Sequence, residues 1–141
     1  MKQQVLLDTG PLVAALMRRD QYHPWSKLLW KEIQPPLLTC ESVLSEACFL
    51  LARASQSTEA IFELVRRGVV QVTLSMQDEV DAIAQLMRRY RDVPMSLADA
   101  GLVRLAEIHT GGSVFTLDSH FRRYRKHGRQ VIPLITPDDV V

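Results

Sequence analysis

Short runs of apolar residues recur along the chain, separated by longer stretches in which apolar positions return every three or four residues. A continuous apolar run of four to eight residues is typical of a strand buried on both faces, and the wider spacing is typical of an amphipathic helix. The apolar runs predict strands at residues 5–7, 36–40, 69–74, 114–117 and 131–135.

Helices are predicted between these strands, and proline and glycine mark several of their ends. Pro11 suits the first turn of the first helix, Pro35 and Pro36 end the second, and Gly68 follows the fourth. The predicted helices cover residues 11–19, 24–33, 41–54, 57–67, 75–90 and 96–109. Because apolar strands alternate with helices, the pattern favours an α/β fold with a parallel sheet covered by helices on both faces.

Length and composition are those of one ordinary globular domain. The chain has 141 residues, of which 47% are hydrophobic and 23% charged, and no repeat or linker divides it, so residues 1–141 are expected to form a single domain. The net charge of +1 excludes neither acidic nor basic partners. Cys40 and Cys48 are expected to be reduced thiols, and no stretch approaches a membrane span, which together predict a cytoplasmic protein.

Two of the predicted strands are followed by an aspartate. VLLD ends on Asp8 and VFTLD ends on Asp118. Ligands of open parallel sheets bind beside the carboxyl ends of the strands, so both carboxylates are expected at one edge. An ionised carboxylate placed among apolar residues is costly unless a partner compensates its charge.

Two more acids fall on helices that begin near the same edge. Glu46 lies on the border of the apolar face of the third helix, and Asp99 lies in the first turn of the helix that begins near Ser96. Simpler roles exist for each acid: Asp8 as a turn residue, Asp118 as an N-cap, Asp99 as the partner of Ser96 in a capping box, and Glu46 as a solvated side chain. All four simple roles together are less economical than one shared site.

Four carboxylates in one crevice would repel one another unless a cation were bound. A site of oxygen ligands without His or Cys suits Mg²⁺ or Mn²⁺, and such an ion can activate water for attack on a phosphodiester. The sequence therefore predicts Asp8, Glu46, Asp99 and Asp118 as metal ligands and catalytic residues.

The segments VLLDTGPLVAAL, SEACFLLAR, YRDVPMSLADAGLVRLAE and VFTLDSHFRRYR, in this order and spacing, resemble the PIN-domain ribonucleases, and most closely the VapC toxins of bacterial toxin–antitoxin pairs. The resemblance implies a three-layer α/β/α sandwich with a five-stranded parallel sheet. It also implies Mg²⁺- or Mn²⁺-dependent cleavage of single-stranded or loop RNA, an antitoxin partner and a homodimer. The same four acids match the acidic quartet of the family, and Thr116 matches a hydroxyl residue with a supporting role.

Two positions stand apart from this assignment. Many members of the family carry a further acid where this chain has His120, which puts a second tightly held metal ion in doubt. His120 is interpreted either as a solvated loop residue or as a contact to phosphate. Asp92 matches an acid often seen before the Pro-Met pair, and no role is assigned to it.

A basic segment follows Asp118. Arg122, Arg123 and Arg125 are predicted to bind the RNA backbone, with Phe121 and Tyr124 among them as candidates for stacking on a base. A solvated charged loop is the plain alternative, and a second arginine cluster is found at residues 88–91.

Rival functions are disfavoured to different degrees. DTG also occurs in aspartic proteases, which need a β-rich fold, and Gly10 stands where a phosphatase with an Asp nucleophile would carry a second Asp. The remaining alternative is a PIN-like module that binds RNA or protein without cutting.

Overall fold

The computed structural model describes residues 3–140. Five parallel strands form the central sheet in the order β3-β2-β1-β4-β7, and β5 and β6 form a separate antiparallel hairpin. The strands are β1 (Val5–Leu7), β2 (Leu37–Thr39), β3 (Val70–Val72), β4 (Ser113–Phe115), β5 (Arg125–Lys126), β6 (Gln130–Val131) and β7 (Leu134–Ile135). The helices are α1 (Thr9–Leu16), α2 (His23–Glu32), α3 (Glu41–Arg53), α4 (Glu59–Arg66), α5 (Val80–Arg89) and α6 (Leu97–Ile108).

The central strand explains why the strand sequences lack a polar face. Val5 and Leu7 of β1 pack against α1 to α4, whereas Leu6 between them packs against α5 and α6 on the opposite face. Successive side chains of a strand point to opposite faces, so a sheet covered on both faces must be apolar at every position. The predicted three-layer sandwich with a five-stranded parallel sheet is confirmed.

Three predicted elements differ from the structure. The segment 131–135 is not one strand: Val131 pairs with Arg125 in the hairpin, and only Leu134 and Ile135 join the sheet. Pro133 between them has no N–H for a continuous ladder, which accounts for the break. Helix α5 begins at Val80 rather than at residue 75, because residues 75–79 form turns first. The third difference concerns burial. The apolar runs predicted strands buried on both faces, but strand β3 lies at the sheet edge, and two of its three residues are exposed.

Cys40 and Cys48 are both free thiols. Among the helices of residues 3–140, none has the length and apolar character needed to cross a bilayer.

Two neighbouring strands, β1 and β4, end together at the carboxyl edge of the sheet, where the acidic residues were predicted. Leu7 of β1 is in register with Phe115 of β4, so the residues after them, Asp8 and Thr116, emerge side by side. The Asp8 N–H donates to the Phe115 carbonyl at 3.0 Å, which fixes the position where the chain leaves β1 for α1.

Candidate active site

All four predicted acids line one cleft at the carboxyl edge of the sheet. The cleft has a volume of ≈ 750 Å³, and Asp8, Glu46, Asp99 and Asp118 are among its lining residues together with His120. Each acid reaches it from a different element: the end of β1, the second turn of α3, the first turn of α6 and the segment after β4. The structure therefore brings together the four carboxylates that the sequence placed at this edge.

Asp8 is the most deeply placed of the four, with 6% of its surface exposed. Its Oδ1 accepts a hydrogen bond from the Thr9 N–H at 2.8 Å, and its Oδ2 accepts one from the Thr116 hydroxyl at 2.6 Å. The pKa of Asp8 is raised to about 7, chiefly by burial and to a smaller extent by the nearby charges of Asp99 and Asp118, whereas these two hydrogen bonds act to lower it. The turn role considered for Asp8 is therefore real, since it is the N-cap of α1, but its burial exceeds what a cap requires.

Thr116 links two of the acids. Its buried hydroxyl donates to Asp8 and accepts a hydrogen bond from the Asp118 N–H at 2.9 Å. A hydroxyl can donate and accept at once, so one side chain fixes both carboxylate-bearing segments. This geometry is what a supporting residue needs, and its part in catalysis stays a prediction.

Asp99 has both of the roles considered for it. It forms a capping box with Ser96, in which the Ser96 N–H donates to Asp99 Oδ2 at 3.1 Å and the Asp99 N–H donates to Ser96 Oγ at 3.0 Å. Burial raises the pKa of Asp99, and the charge of Asp118 adds to the rise. The pKa of a capping residue in open solvent would not be raised by burial and by a neighbouring carboxylate in this way. Asp99 therefore caps α6 and lines the cleft with the same side chain.

Asp118 is held by His120, the residue that stands where many PIN-domain ribonucleases carry a further acid. Its Oδ1 accepts the His120 N–H at 2.9 Å and lies 2.8 Å from His120 Nδ1. Since an ionised carboxylate only accepts, Nδ1 is the ring nitrogen that carries the hydrogen in this pair. His120 is thus anchored at the cleft rather than solvated in a loop, and its contact to phosphate stays a prediction.

Glu46 is exposed and is joined to the other acids through Thr9. The Thr9 hydroxyl lies 3.2 Å from Glu46 Oε2 and 3.4 Å from the Val43 carbonyl. The bridge made by Thr9 depends on the contact between α1 and α3, which no local sequence pattern reveals.

The donor set fits a hard divalent cation in chemistry, although the side chains are not gathered around one point. Within residues 3–140, no group of three or more His, Cys, Asp or Glu side chains is arranged to hold a metal ion. For Glu46, Asp99 and Asp118, however, the recorded hydrogen bonds of the described residues use one carboxylate oxygen and leave the other for a ligand. A bound cation would also favour the ionised form of Asp8, whose pKa is raised mainly by burial and to a smaller extent by the charges of Asp99 and Asp118.

The basic segment is only partly as predicted. Arg122 and Arg123 are exposed, but Arg122 donates to the Val140 carbonyl at 2.8 Å, and Arg125 donates to the Arg122 carbonyl at 2.7 Å. Phe121 and Tyr124 are buried at 1% and 0% exposure, so their predicted stacking on an RNA base is wrong. They face the core because the 3₁₀ turn at Ser119–Arg122 and the hairpin after it turn their rings inward.

The raised Asp8 pKa predicts a pH-dependent stability of the metal-free protein. The folded state holds a proton on Asp8 up to about pH 7, whereas an Asp in the unfolded chain releases it near its ordinary pKa of 3.8. The folded state therefore binds more protons in this window, and the free energy of unfolding falls as pH rises, by up to about 4 kcal/mol.

Thermal unfolding of the wild type and of Asp8→Asn in EDTA between pH 4 and pH 8 measures this effect. The variant should lose less stability across the window, because Asn does not titrate there. Parallel curves for the two proteins would show that Asp8 does not carry the pH dependence.

Comparison with known proteins places this geometry in context. A family model described as the PIN domain matches residues 5–127. Among solved structures, VapC20 of Mycobacterium tuberculosis, described as a sarcin–ricin loop cleaving toxin, is similar with a TM-score of 0.71 and 22% sequence identity. The match covers 79% of this chain and 87% of that chain, and it shows a shared fold. No curated protein sequence matches the chain.

Proposed function

The chain belongs to the PIN domain family, and from this premise we propose that it is an Mg²⁺- or Mn²⁺-dependent endoribonuclease of the VapC toxin type. The observation that carries the proposal is the meeting of Asp8, Glu46, Asp99 and Asp118 at one cleft on the carboxyl edge of the sheet. The raised pKa values of Asp8 and Asp99, with like charge among their causes, support a site built to be completed by a cation.

The proposed division of labour follows from the contacts of each side chain. A divalent cation held here would activate a water molecule and neutralise charge that develops on the phosphate. Asp8 supplies the buried carboxylate at the centre, fixed by Thr9 and Thr116. Asp99 and Asp118 are fixed through one oxygen each, and Glu46 lies at the exposed side of the cleft.

The substrate class is proposed to be single-stranded or loop RNA. The structurally similar VapC20 is a toxin that cleaves the sarcin–ricin loop. The exposed Arg122 and Arg123 follow the cleft residue His120 within three positions in sequence, which suits contact with an unpaired strand. The experiment compares cleavage of a labelled stem-loop with cleavage of a fully paired duplex that contains the same sequence, both in Mg²⁺. Cleavage confined to the loop is expected, whereas RNA binding without cleavage would favour the non-cutting PIN-like module.

Partner proteins are proposed on the same basis. A toxin of this type would be paired with an antitoxin in the cytoplasm and would form a homodimer. Exposed apolar side chains on α3 and α4 support protein contacts, since Phe49 is 61% and Phe62 is 47% exposed. Large apolar side chains that stay in water are typical of surfaces that a partner covers.

Arg123 provides the cleanest test of the proposed RNA-binding segment, because Arg122 and Arg125 also hold backbone carbonyls. Arg123→Ala should weaken RNA binding and reduce the slope of log affinity against log salt by about 0.7, the value for one phosphate contact on a single strand. Cleavage at saturating RNA should change much less. Arg67→Ala, an exposed arginine beyond α4 and outside the cleft, serves as control.

A salt titration of RNA affinity beside single-turnover cleavage measures both effects. Glu46→Gln should behave in the opposite way, with binding kept or tightened and turnover lost, because a negative charge near phosphate is removed. An unchanged slope in Arg123→Ala would place the RNA path elsewhere, with Arg88, Arg89 and Arg91 as the next candidates.

A further inference from the structure

Tyr124 has a hydroxyl group that its packing does not explain. The side chain is fully buried, and its ring makes edge contacts with Tyr90 and Phe121, each at a centroid distance of 5.2 Å. Phenylalanine would fill the same space in this aromatic cluster. The role of the tyrosine must therefore be sought in its hydroxyl.

The hydroxyl lies between the wall of the cleft and one of the four acids. It donates to the carbonyl of Pro94, which lines the cleft, and it lies 3.2 Å from Asp99 Oδ2. Burial and the charge of Asp99 raise the pKa of Tyr124, so the group remains an O–H donor. With one hydrogen and two acceptors in reach, it can donate to either without movement of the ring.

This contact selects which oxygen of Asp99 is available to the cleft. The Ser96 N–H also donates to Oδ2, at 3.1 Å, and the Tyr124 hydroxyl uses the same oxygen when its single hydrogen points to Asp99 rather than to the Pro94 carbonyl. Oδ1 is left to bind a ligand. Ser96 contacts the carboxylate from the N-cap of α6, whereas Tyr124 contacts it from a segment more than twenty residues away in sequence.

We propose that Tyr124 is a positioning residue of the active site, whose hydroxyl holds Asp99 and the Pro94 segment in the arrangement needed for metal binding and RNA cleavage. The inference rests on the proposed ribonuclease function. It extends the site to a residue that carries no charge and that lies in the core. Tyr124 lies in the segment after Asp118 and directly precedes β5. That segment would therefore support the active site through Tyr124 in addition to its proposed contact with RNA.

The test compares Tyr124→Phe with Tyr90→Phe. Both variants remove one hydroxyl from the same aromatic cluster, but the Tyr90 hydroxyl accepts the Arg125 N–H at 2.9 Å and has no recorded contact to a cleft acid. Tyr124→Phe should lower kcat by about 10- to 100-fold, the range for loss of a group that orients a metal ligand, with KM for RNA unchanged. Tyr90→Phe should keep both parameters close to those of the wild type.

A second readout does not depend on cleavage. The Mg²⁺ concentration needed for a given rise in melting temperature should increase by about 10-fold or more in Tyr124→Phe and stay unchanged in Tyr90→Phe. Equal behaviour of the two variants in both measurements would overturn the inference and make Tyr124 a packing residue only. If the wild type binds Mg²⁺ but cleaves no RNA, the proposed function fails, and the shift in Mg²⁺ dependence of the melting temperature still decides on Tyr124. If Mg²⁺ has no effect on the wild type, both the proposed function and the role of Tyr124 are overturned.

Should Tyr124→Phe fail to fold, the wild type itself supplies the measurement. The chain has three tyrosines, and fluorotyrosine labelling with ¹⁹F NMR follows each of them during a Mg²⁺ titration. The Tyr124 signal, assigned by elimination with Tyr22→Phe and Tyr90→Phe, should shift with Mg²⁺ while the other two stay. A Tyr124 signal that does not respond would refute the positioning role.

Discussion

Asp8→Asn is expected to lower the rate of RNA cleavage in Mg²⁺ by at least about 100-fold, beyond the usual effect of losing an outer-shell partner of a metal site. The substitution keeps the size of the side chain and an oxygen that can accept the Thr9 N–H, but it removes the charge from the centre of the cleft. Asp118→Asn should have a similar effect, because the remaining oxygen can still accept the His120 N–H. The folded state should persist in both variants.

Single-turnover cleavage of a loop RNA, with circular dichroism on the same samples, checks this result. Asp78→Asn is the matched control, since it makes the same chemical change on an exposed residue that does not line the cleft. If either active-site variant retained a rate near that of the wild type in Mg²⁺, the metal-ligand role of that residue would be wrong.

The second large effect concerns stability and has opposite signs with and without metal. In EDTA, Asp8→Asn should melt at a higher temperature than the wild type near pH 7 and above, because it removes a buried charge that Asp99 and Asp118 repel. In Mg²⁺ at about 100 times its dissociation constant, the wild type should gain about 2.7 kcal/mol, since only the folded state binds the ion. For a domain of this size, that gain corresponds to roughly 5–10 °C.

The variant should gain much less from Mg²⁺ than the wild type. Scanning calorimetry of both proteins over a series of Mg²⁺ concentrations separates the two contributions, and the same series with Na⁺ at matched ionic strength corrects for general screening. Equal Mg²⁺ shifts in the two proteins would argue against a shared carboxylate site.

The features that the sequence predicted correctly are local ones. The capping box of Ser96 and Asp99 is formed because both partners are three residues apart in one turn. The placement of Asp8 and Asp118 at one edge follows from chain direction alone, since β1 and β4 are parallel and end together. Hydrophobic runs located the five strands of the sheet to within a few residues, because a run of apolar residues is also a local feature of the sequence.

Contacts between distant segments account for what the sequence did not reveal. Thr9 reaches Glu46 and Tyr124 reaches Asp99 only after α1 meets α3 and the 3₁₀ segment returns to α6. Tyr124 stands among arginines in the sequence, so local composition places it at the surface, whereas its ring is in the core. The β5–β6 hairpin was missed because its strands are two residues long and Val131 resembles the start of the next strand.

Cleavage of RNA at this acidic cleft should require a divalent cation. The most direct measurement is single-turnover cleavage of a labelled stem-loop RNA by the wild-type protein, first in excess EDTA and then with Mg²⁺ or Mn²⁺ restored to the same sample. We expect no cleavage in EDTA and internal cleavage after either ion is added. An equal cleavage rate with and without the ion would contradict this requirement.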